Sequence, residues 1–209
     1  MDSLVLTLRD LLEYSNVKKV FDILKDTKSF LTRGPNEIPR IQDVTKHYIE
    51  KYPQLATTQI KVVPNYPNAV YNMNTKVLIL GVFNADILSH ELHHVMGLEN
   101  SPIHTKILAI SKMIAAVTTP LSLASPIAIG AKAIAPQWRG GINAILDALA
   151  VTHGVSYLPT LLEEGRASIN AAAESKDKME TAKALGPSYM SYLPEALGPM
   201  GLYQLARRL

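Results

Sequence analysis

The sequence predicts a mostly helical α+β fold, in which a small sheet of two or three strands lies beside a helix carrying HELHH at residues 90–94. Three observations predict it. Apolar residues recur at helical spacings near both ends of the chain, strand-like runs occur only within residues 57–83, and the apolar stretch 107–135 has the composition of an inserted helical hairpin. We expect an N-terminal amphipathic helical layer at residues 1–35 and a main domain at residues 36–209.

Composition excludes several classes of function. The chain has no cysteine, so disulfides, iron–sulfur clusters and thiolate zinc sites are excluded. Its net charge is only +3 and few aromatic residues lie among the basic ones, so we expect no nucleic-acid partner. No basic region followed by an apolar run and a cleavage site opens the sequence. We therefore expect a membrane-associated or cytoplasmic protein without a cleavable signal peptide, and the oligomeric state stays open.

The N-terminal layer is predicted from leucine and valine residues at three- and four-residue spacings over residues 3–32. We interpret them as two amphipathic helices, broken near Ser15-Asn16, that pack on the core. Gly34-Pro35 ends this layer. A shorter helix is expected at residues 41–52, before Pro53.

The predicted sheet rests on three short apolar runs separated by proline and asparagine, as turns would separate strands. The runs lie at residues 60–63, 70–71 and 76–80. Asn84 or Asp86 is expected to cap the next helix, and Gly97 is expected to end it.

The apolar stretch 107–135 allows two interpretations. No charge lies between Lys112 and Lys132, and a helix that crosses a bilayer needs about 20 such residues. Pro120 and Pro126 disfavour a continuous span. Contact with a membrane and a hairpin packed inside the protein therefore both remain open.

The C-terminal third is predicted to be helical with interruptions. We expect a helix at residues 141–153, a break at 154–159, and a second helix to about residue 175. The tail is apolar, and prolines interrupt it at positions 187, 194 and 199.

The HELHH stretch carries chemistry as well as structure. On a helix, His90 and His94 project from the same face, so their imidazoles can take two corners of a zinc tetrahedron. Glu91 follows the first of them and can reach a zinc-bound water, take its proton and pass it to a leaving amine. The pattern therefore predicts two zinc ligands and a catalytic base. His93 points about a hundred degrees away and is expected to pack or to support a ligand.

The third ligand is not fixed by this stretch alone. Residues 90–101, HELHHVMGLENS, resemble the elongated metzincin motif H-E-x-x-H-x-x-G-x-x-H, with Gly97 at the position of its glycine. Asn100 occupies the third-ligand position, and a neutral amide is a poor zinc ligand. Glu99 lies one residue out of register.

A second resemblance covers the chain from about Pro64 to its end. It is to the HtpX-like and YugP-like neutral zinc metallopeptidases, which combine an H-E-x-x-H helix, an apolar segment and a later helix with E-x-x-A-[DS]. Residues 67–69, Pro-Asn-Ala, resemble the segment before the motif helix, and residues 158–172, LPTLLEEGRASINAA, resemble the later helix. With Ala167-Ser168 in register, the resemblance implies Glu164 as the third zinc ligand.

Several alternatives stay open beside this assignment. Glu163 and Glu164 are also explained as a solvated acidic pair at a helix N-terminus, and Glu163 is a second candidate ligand. His104 is expected in a solvated loop. Residues that could stabilise an oxyanion, but for which a structural role is the simpler explanation, are His153, Tyr189 and Tyr192.

Taken together, these patterns predict a zinc metalloendopeptidase that hydrolyses peptides or unfolded protein segments. The expected Zn²⁺ ligands are His90, His94 and Glu164, with Glu91 as the catalytic base. An extended substrate would pair with the strand at residues 76–80, and a membrane would be contacted through 107–135. The alternative is a non-catalytic, zinc-stabilised structural or membrane-interaction protein on the same scaffold.

Overall fold

The computed structural model describes residues 4–24, 37–63 and 69–209. Contacts divide the chain into a first unit, Met1–Asn100 with Ile169–Leu185, and a second unit, Ser101–Ser168 with Gly186–Leu209. The predicted boundary at Gly34-Pro35 and the Pro67-Asn68 part of the family-like segment lie outside the described residues.

The elements of the chain confirm a mostly helical α+β fold with a small sheet. The strands are β1 (Leu4–Thr7), β2 (Gln59–Val62), β3 (Val70–Asn72) and β4 (Val77–Leu80). The helices are α1 (Tyr14–Leu24), α2 (Ile38–Lys51), α3 (Ala85–Asn100), α4 (Pro102–Ser122), α5 (Ser125–Ile134), α6 (Arg139–Glu174) and α7 (Lys178–Arg208). Short 3-10 helices lie at Arg9–Leu12, Pro53–Thr57 and Pro136–Trp138.

The sheet of the first unit has four strands, in the order β1-β2-β4-β3, and not the predicted two or three, because β1 comes from a segment predicted to be helical. β2 pairs in parallel with β4, while β1 and β3 pair antiparallel with β2 and β4 respectively. The expected edge strand at residues 76–80 is therefore wrong, because β4 lies between β2 and β3 and both of its sides are paired. The edges of this sheet are β1 and β3.

The first predicted helix of the N-terminal layer is also wrong. Residues Leu4–Thr7 form β1 and pair with β2 from Leu4↔Val62 to Thr7↔Gln59. Leu4 and Leu6 pack on the core from this strand, so apolar contact and main-chain pairing with a distant segment outweigh the local helical periodicity. The second predicted helix is present as α1.

The core of the first unit lies between one face of the sheet and the helices that cover it. Strand residues that point inward alternate with more exposed neighbours, as in Ile60 and Val62 of β2 and Leu78 and Leu80 of β4. Helix residues in the same cluster come from α1, α2 and α3 and include Val17, Ile41, Leu88, Leu92 and Val95. Helix α3 is therefore held along its length by apolar contacts.

The second unit is built from α4, α5, most of α6 and most of α7. α4 and α5 meet at a break of two residues with a bend of 50°, so the region is a bent helix pair, and the predicted hairpin is not confirmed. The small buried cluster of this unit consists of Leu146, Ala150, Tyr203 and Ala206.

Two predicted interruptions are absent. α6 runs without a break through residues 154–159, and α7 runs through the prolines at 187, 194 and 199. A proline removes one main-chain donor, and a long helix continues where another group replaces it. In α7 the carbonyl of Glu195, which faces Pro199 four residues on, accepts a hydrogen bond from His153.

Candidate metal centre

Helix α3 begins at a side-chain cap. The Oδ1 atom of Asn84 accepts a hydrogen bond from the main-chain N–H of Ile87 at 2.8 Å, which confirms the predicted cap at Asn84. The predicted end at Gly97 is wrong, since α3 continues to Asn100. A glycine lowers helix stability by about 1 kcal/mol, and the packing of α3 on the core offsets that loss.

Asp86, the other cap candidate, fixes the first turn of α3 in a different way. Its carboxylate accepts hydrogen bonds from Arg40 of α2 at 3.0 Å and from the Thr181 hydroxyl of α7 at 2.6 Å. Glu37 in turn accepts from Arg40 at 2.7 Å and from the N–H of Ala85 at 3.2 Å. The start of α3 is thus tied to two other helices of the first unit.

The two motif histidines lie together, as their spacing predicts. The Nε2 atoms of His90 and His94 are 3.0 Å apart, and the rings meet edge to face at a centroid distance of 4.6 Å. Two nitrogens bound to one tetrahedral zinc at about 2.0–2.1 Å each would be separated by about 3.3–3.4 Å. The observed spacing is close to that value, so the imidazole pair fits two corners of a metal site.

Glu164 completes the group. It lies on α6, and one ligand atom each from His90, His94 and Glu164 lies within 4.8 Å of the others. The described residues contain no other group of three or more His, Cys, Asp or Glu residues that meets this spacing. Two imidazoles and a carboxylate are a donor set that zinc accepts. These three residues could therefore hold a metal ion, and the third ligand implied by the family resemblance is among them.

Glu91 is half-buried on α3, directly after His90. The predicted role of Glu91 as a catalytic base stays a prediction.

The competing ligand candidate Glu163 is engaged elsewhere. Both of its oxygens accept hydrogen bonds from Arg166, at 2.8 and 2.6 Å, and Oε2 also lies 2.9 Å from Nε2 of His104. The side chain is buried, so it is not a solvated residue of an acidic pair. His104 is not in a solvated loop either, because it lies in the first turn of α4, where its N–H donates to the Ser101 cap.

The two other candidate ligands of the metzincin-like alternative, Asn100 and Glu99, are not part of the candidate metal group. Asn100 is the exposed last residue of α3. Glu99 accepts a short hydrogen bond from the Tyr71 hydroxyl and lies 3.6 Å from Nζ of Lys76. This pair of contacts ties the end of α3 to β3 and to the turn before β4.

The residues that could stabilise an oxyanion have different surroundings. His153 is fully buried, and its nitrogens lie 2.8 Å from the Thr118 hydroxyl and 3.1 Å from the carbonyl of Glu195, so its role is structural. The ring of Tyr189 lies 3.5 Å from the position that a Cβ would occupy at Gly165, one residue after Glu164. Tyr189 therefore remains a candidate by position.

A polar cluster around Glu174 was not predicted from the sequence. Glu174 is the last residue of α6, and its carboxylate lies 2.6 Å from Nζ of Lys51 and 3.1 Å from Nε2 of His47. Nε2 of His93 lies 3.8 Å away. The sequence offers one local signal for this cluster, the spacing of four residues between His47 and Lys51 on one face of α2.

The electrostatics of this cluster favour an ionised Glu174. Burial alone raises the pKa of its carboxyl group, but hydrogen bonds from Lys51 and His47 and the nearby His93 lower the pKa below its ordinary value. The same hydrogen bond raises the pKa of Lys51 above its ordinary value. The pair is therefore ionised at neutral pH.

Comparison with known proteins returns no relative: no family model, no curated protein and no solved structure matches this chain. The functional argument therefore depends on the residues of the candidate metal centre.

Proposed function

We propose that this chain is a zinc-dependent metalloendopeptidase of the HtpX-like and YugP-like kind. The observation that carries the proposal is the group of His90, His94 and Glu164, with ligand atoms within 4.8 Å of one another and Glu91 beside the first histidine. Chance seldom brings an H-E-x-x-H helix together with a carboxylate at ligand spacing. The resemblance in sequence supports the same reading.

The donor chemistry favours zinc among the common metals. Two neutral imidazoles and one carboxylate make three protein ligands, the usual number at a catalytic zinc site. Zinc bound there would supply Lewis-acid chemistry by lowering the pKa of a coordinated water and polarising a peptide carbonyl. A site closed by a fourth protein ligand would instead favour the non-catalytic alternative.

Glu91 is assigned the proton transfers. It is the acidic side chain nearest in sequence to the first ligand, and α3 fixes its position relative to both histidines. As a carboxylate it accepts the proton of the attacking water, and as the acid it returns that proton to the leaving amine. Proton transfer by a positioned side chain contributes about 10²–10⁴ to a rate.

The substrate is proposed to be a peptide or an unfolded segment in extended form. Because β4 is an inner strand, the pairing edge is reassigned to β3, whose residue Val70 is exposed. The Tyr71 hydroxyl bonds to Glu99, so β3 is tied to the helix that carries His94. Main-chain pairing along such an edge binds peptides with little dependence on sequence.

Contact with a lipid bilayer is a further part of the proposal, and it is supported by the polarity of the second unit. Large apolar side chains face outward there, among them Ile103, Met113, Val117, Ile127, Ile134 and Leu162. Buried positions of the same unit hold polar side chains, among them Ser111, Thr118, Ser122, Lys132, His153 and Ser156. A water-soluble unit has the opposite arrangement, whereas an apolar exterior around buried polar groups suits hydrocarbon.

Helix dimensions agree with this interpretation. Among the described residues, one helical stretch is long and apolar enough to cross a membrane, Pro136–Glu174, and the pair formed by α4 and α5 passes the same test with a bend of 50°. The 21 residues of α4 extend for about 31 Å, which is close to the thickness of the hydrocarbon core.

The catalytic proposal is tested with Glu91→Gln. The variant should bind zinc as the wild-type chain does and hydrolyse a labelled, denatured protein at least about a hundredfold more slowly. Glu50→Gln, at an exposed position on α2, is the matched control and should keep full activity. Undiminished hydrolysis by Glu91→Gln would exclude this mechanism. A wild-type chain that binds zinc and hydrolyses nothing would favour the non-catalytic alternative.

Lipid contact is tested by flotation with phosphatidylcholine vesicles. The double variant Met113→Asp and Ile127→Asp places two charges on the exposed apolar surface and should lower the floated fraction, because charges are expensive in hydrocarbon. Leu12→Asp, at an exposed apolar position of the first unit, should float as the wild-type chain does. Equal flotation of all three chains would contradict bilayer contact through the second unit.

A further inference from the structure

Glu174 joins the end of α6 to two helices of the first unit. It ends α6, it takes hydrogen bonds from Lys51 and His47 of α2, and it lies 3.8 Å from His93 of α3. The side chain of Glu174 is only 18% exposed, and that of His93 is 3% exposed. The contact with His93 is thus sheltered from water, and charges there are screened less than at a surface. The side chains of Lys51 and His47 are 46% and 45% exposed, so their contacts with Glu174 lie at the surface of the unit.

His93 connects this cluster to the motif helix. It lies between the two motif histidines in sequence, on a different face of α3, and its ring packs edge-on against Tyr48 of α2 at a centroid distance of 5.4 Å. The Tyr48 hydroxyl also lies 2.8 Å from the Ser89 hydroxyl of α3. α2 and α3 therefore form one packed pair, and Glu174 is held against both helices.

The same helix that ends at Glu174 carries Glu164. The two residues are ten positions apart on α6, which is continuous between them, so they are separated by about 15 Å along the helix axis. A tilt of about 5° at the Glu174 end would move the Glu164 end by about 1.3 Å. A displacement of about 1 Å is enough to disturb a catalytic geometry.

We propose that Glu174 is a positioning residue for the metal centre: its contacts with Lys51, His47 and His93 set the direction of α6, and so place the Glu164 carboxylate at ligand distance from the two motif histidines. This inference rests on the proposed function and adds a role outside the H-E-x-x-H and E-x-x-A-S motifs. Glu174 does not touch substrate or metal.

A purely structural ion pair predicts a different result. Removing such a pair lowers the free energy of unfolding and leaves the metal geometry unchanged in the folded protein. A positioning role predicts altered metal binding at temperatures where the variant is fully folded. The metal itself is therefore the appropriate probe.

The experiment compares the wild-type chain with Glu174→Ala and Glu174→Gln. Glu174→Ala removes all the contacts, whereas Glu174→Gln keeps the shape and an acceptor for Lys51 but loses the charge. The matched control is Asp43→Asn, which removes the exposed ion pair of Asp43 with Lys176, 2.5 Å apart; neither residue belongs to α3 or to the candidate metal group. Circular dichroism establishes that each variant is folded.

Two metal readouts are measured on each chain. Zinc affinity is obtained by competition with a chromophoric chelator, and the visible spectrum of the Co²⁺-substituted protein reports coordination geometry. We expect zinc affinity to fall about tenfold in Glu174→Ala, which is the lower end of the effect of supporting residues at metal sites, and less in Glu174→Gln. The Co²⁺ spectrum should change in the same order, and Asp43→Asn should match the wild-type chain.

The outcomes separate this inference from the proposed function. Wild-type affinity and spectrum in folded Glu174→Ala and Glu174→Gln would overturn the positioning role and leave the peptidase proposal intact. A wild-type chain that binds metal but hydrolyses nothing would overturn the peptidase proposal, while a metal effect in Glu174→Ala would still support the positioning role. A wild-type chain that binds neither Zn²⁺ nor Co²⁺ would overturn both.

Discussion

His153 supplies a hydrogen-bond donor that the main chain of α7 lacks at Pro199, and its removal should therefore lower the free energy of unfolding. In a regular helix the carbonyl of Glu195 would accept from the N–H of residue 199, but Pro199 has no N–H. Nε2 of His153 lies 3.1 Å from that carbonyl and supplies the missing donor. His153 is 0% exposed, so its imidazole supplies this donor from inside the unit.

The cost of His153→Ala can be worked from these contacts. The variant leaves the partly buried carbonyl of Glu195 without its donor, which costs about 1–3 kcal/mol, and it also removes the contact with Thr118 at 2.8 Å. In the variant the single hydroxyl hydrogen of Thr118 is free to point to the carbonyl of Ile114 at 3.0 Å, so the loss of the His153 contact is partly compensated. With the space left by the ring, we expect a total loss of about 2–4 kcal/mol.

Pro199→Ala should rescue part of that loss. The alanine restores an N–H four residues after Glu195, so the carbonyl has a donor without His153. The cost of His153→Ala should therefore be about 1 kcal/mol smaller in the Pro199→Ala background, within the coupling of about 0.5–3 kcal/mol found for residues in contact. Pro194→Ala, which frees no donor for Glu195, is the matched control and should give no rescue.

The assay is a double-variant cycle of unfolding free energies in mild detergent, followed by circular dichroism at the helical band. The four chains of each cycle are compared under identical conditions. A contribution of the detergent that is the same for all four chains then cancels in the interaction energy between the two positions. An equal cost of His153→Ala in the wild-type and Pro199→Ala backgrounds would refute the assigned role. Rescue by Pro194→Ala as well would show that any proline removal compensates.

Two further predictions concern the first unit. Thr7 donates its N–H and its hydroxyl to the Asp10 carboxylate at 2.8 Å each. These two hydrogen bonds are the main reason that the pKa of Asp10 lies below its ordinary value of 3.8. Asp10→Asn should therefore cost about 0.5–1 kcal/mol at pH 7, and acid titration of stability should show this difference vanishing as the pH falls through the lowered pKa. Leu78→Ala should lower the free energy of unfolding by about 2–5 kcal/mol in a denaturant titration, because Leu78 is fully buried. Ile79 lies on the opposite face of β4, and a similar loss in Ile79→Ala would contradict the packing described.

The local features of the motif helix could be predicted from the sequence because they depend on near neighbours. The cap at Asn84 follows from a polar residue directly before an apolar periodic segment. The common face of His90 and His94 follows from helical geometry alone. The prediction of Glu164 as the third candidate ligand depended on the resemblance to a family, since no local rule connects α3 to a carboxylate seventy residues later.

Features that depend on distant partners were missed. Leu4–Thr7 becomes a strand because β2, more than fifty residues later, pairs with it. β4 is an inner strand because β2 pairs with it in parallel, and a parallel partner cannot be assigned from the periodicity of either strand. Both facts follow from the arrangement of the whole sheet.

The prolines led to errors for a related reason. A proline leaves the carbonyl four residues before it without its main-chain donor, and a helix is expected to end there only when no other group donates to that carbonyl. For Pro199 the replacement donor is His153, which lies on another helix and cannot be recognised from the sequence around the proline. The Glu174 cluster was missed in the same way, because its partners lie on α2 and α3.

The central claim is tested most directly by X-ray absorption at the zinc edge of the zinc-loaded wild-type chain and of Glu164→Ala. We predict one zinc per chain with two imidazole nitrogens at about 2.0–2.1 Å and a carboxylate oxygen at about 2.0–2.2 Å, and loss of that oxygen in Glu164→Ala. A wild-type chain without stoichiometric zinc, or a spectrum that Glu164→Ala leaves unchanged, would contradict the assignment of His90, His94 and Glu164 as the metal ligands.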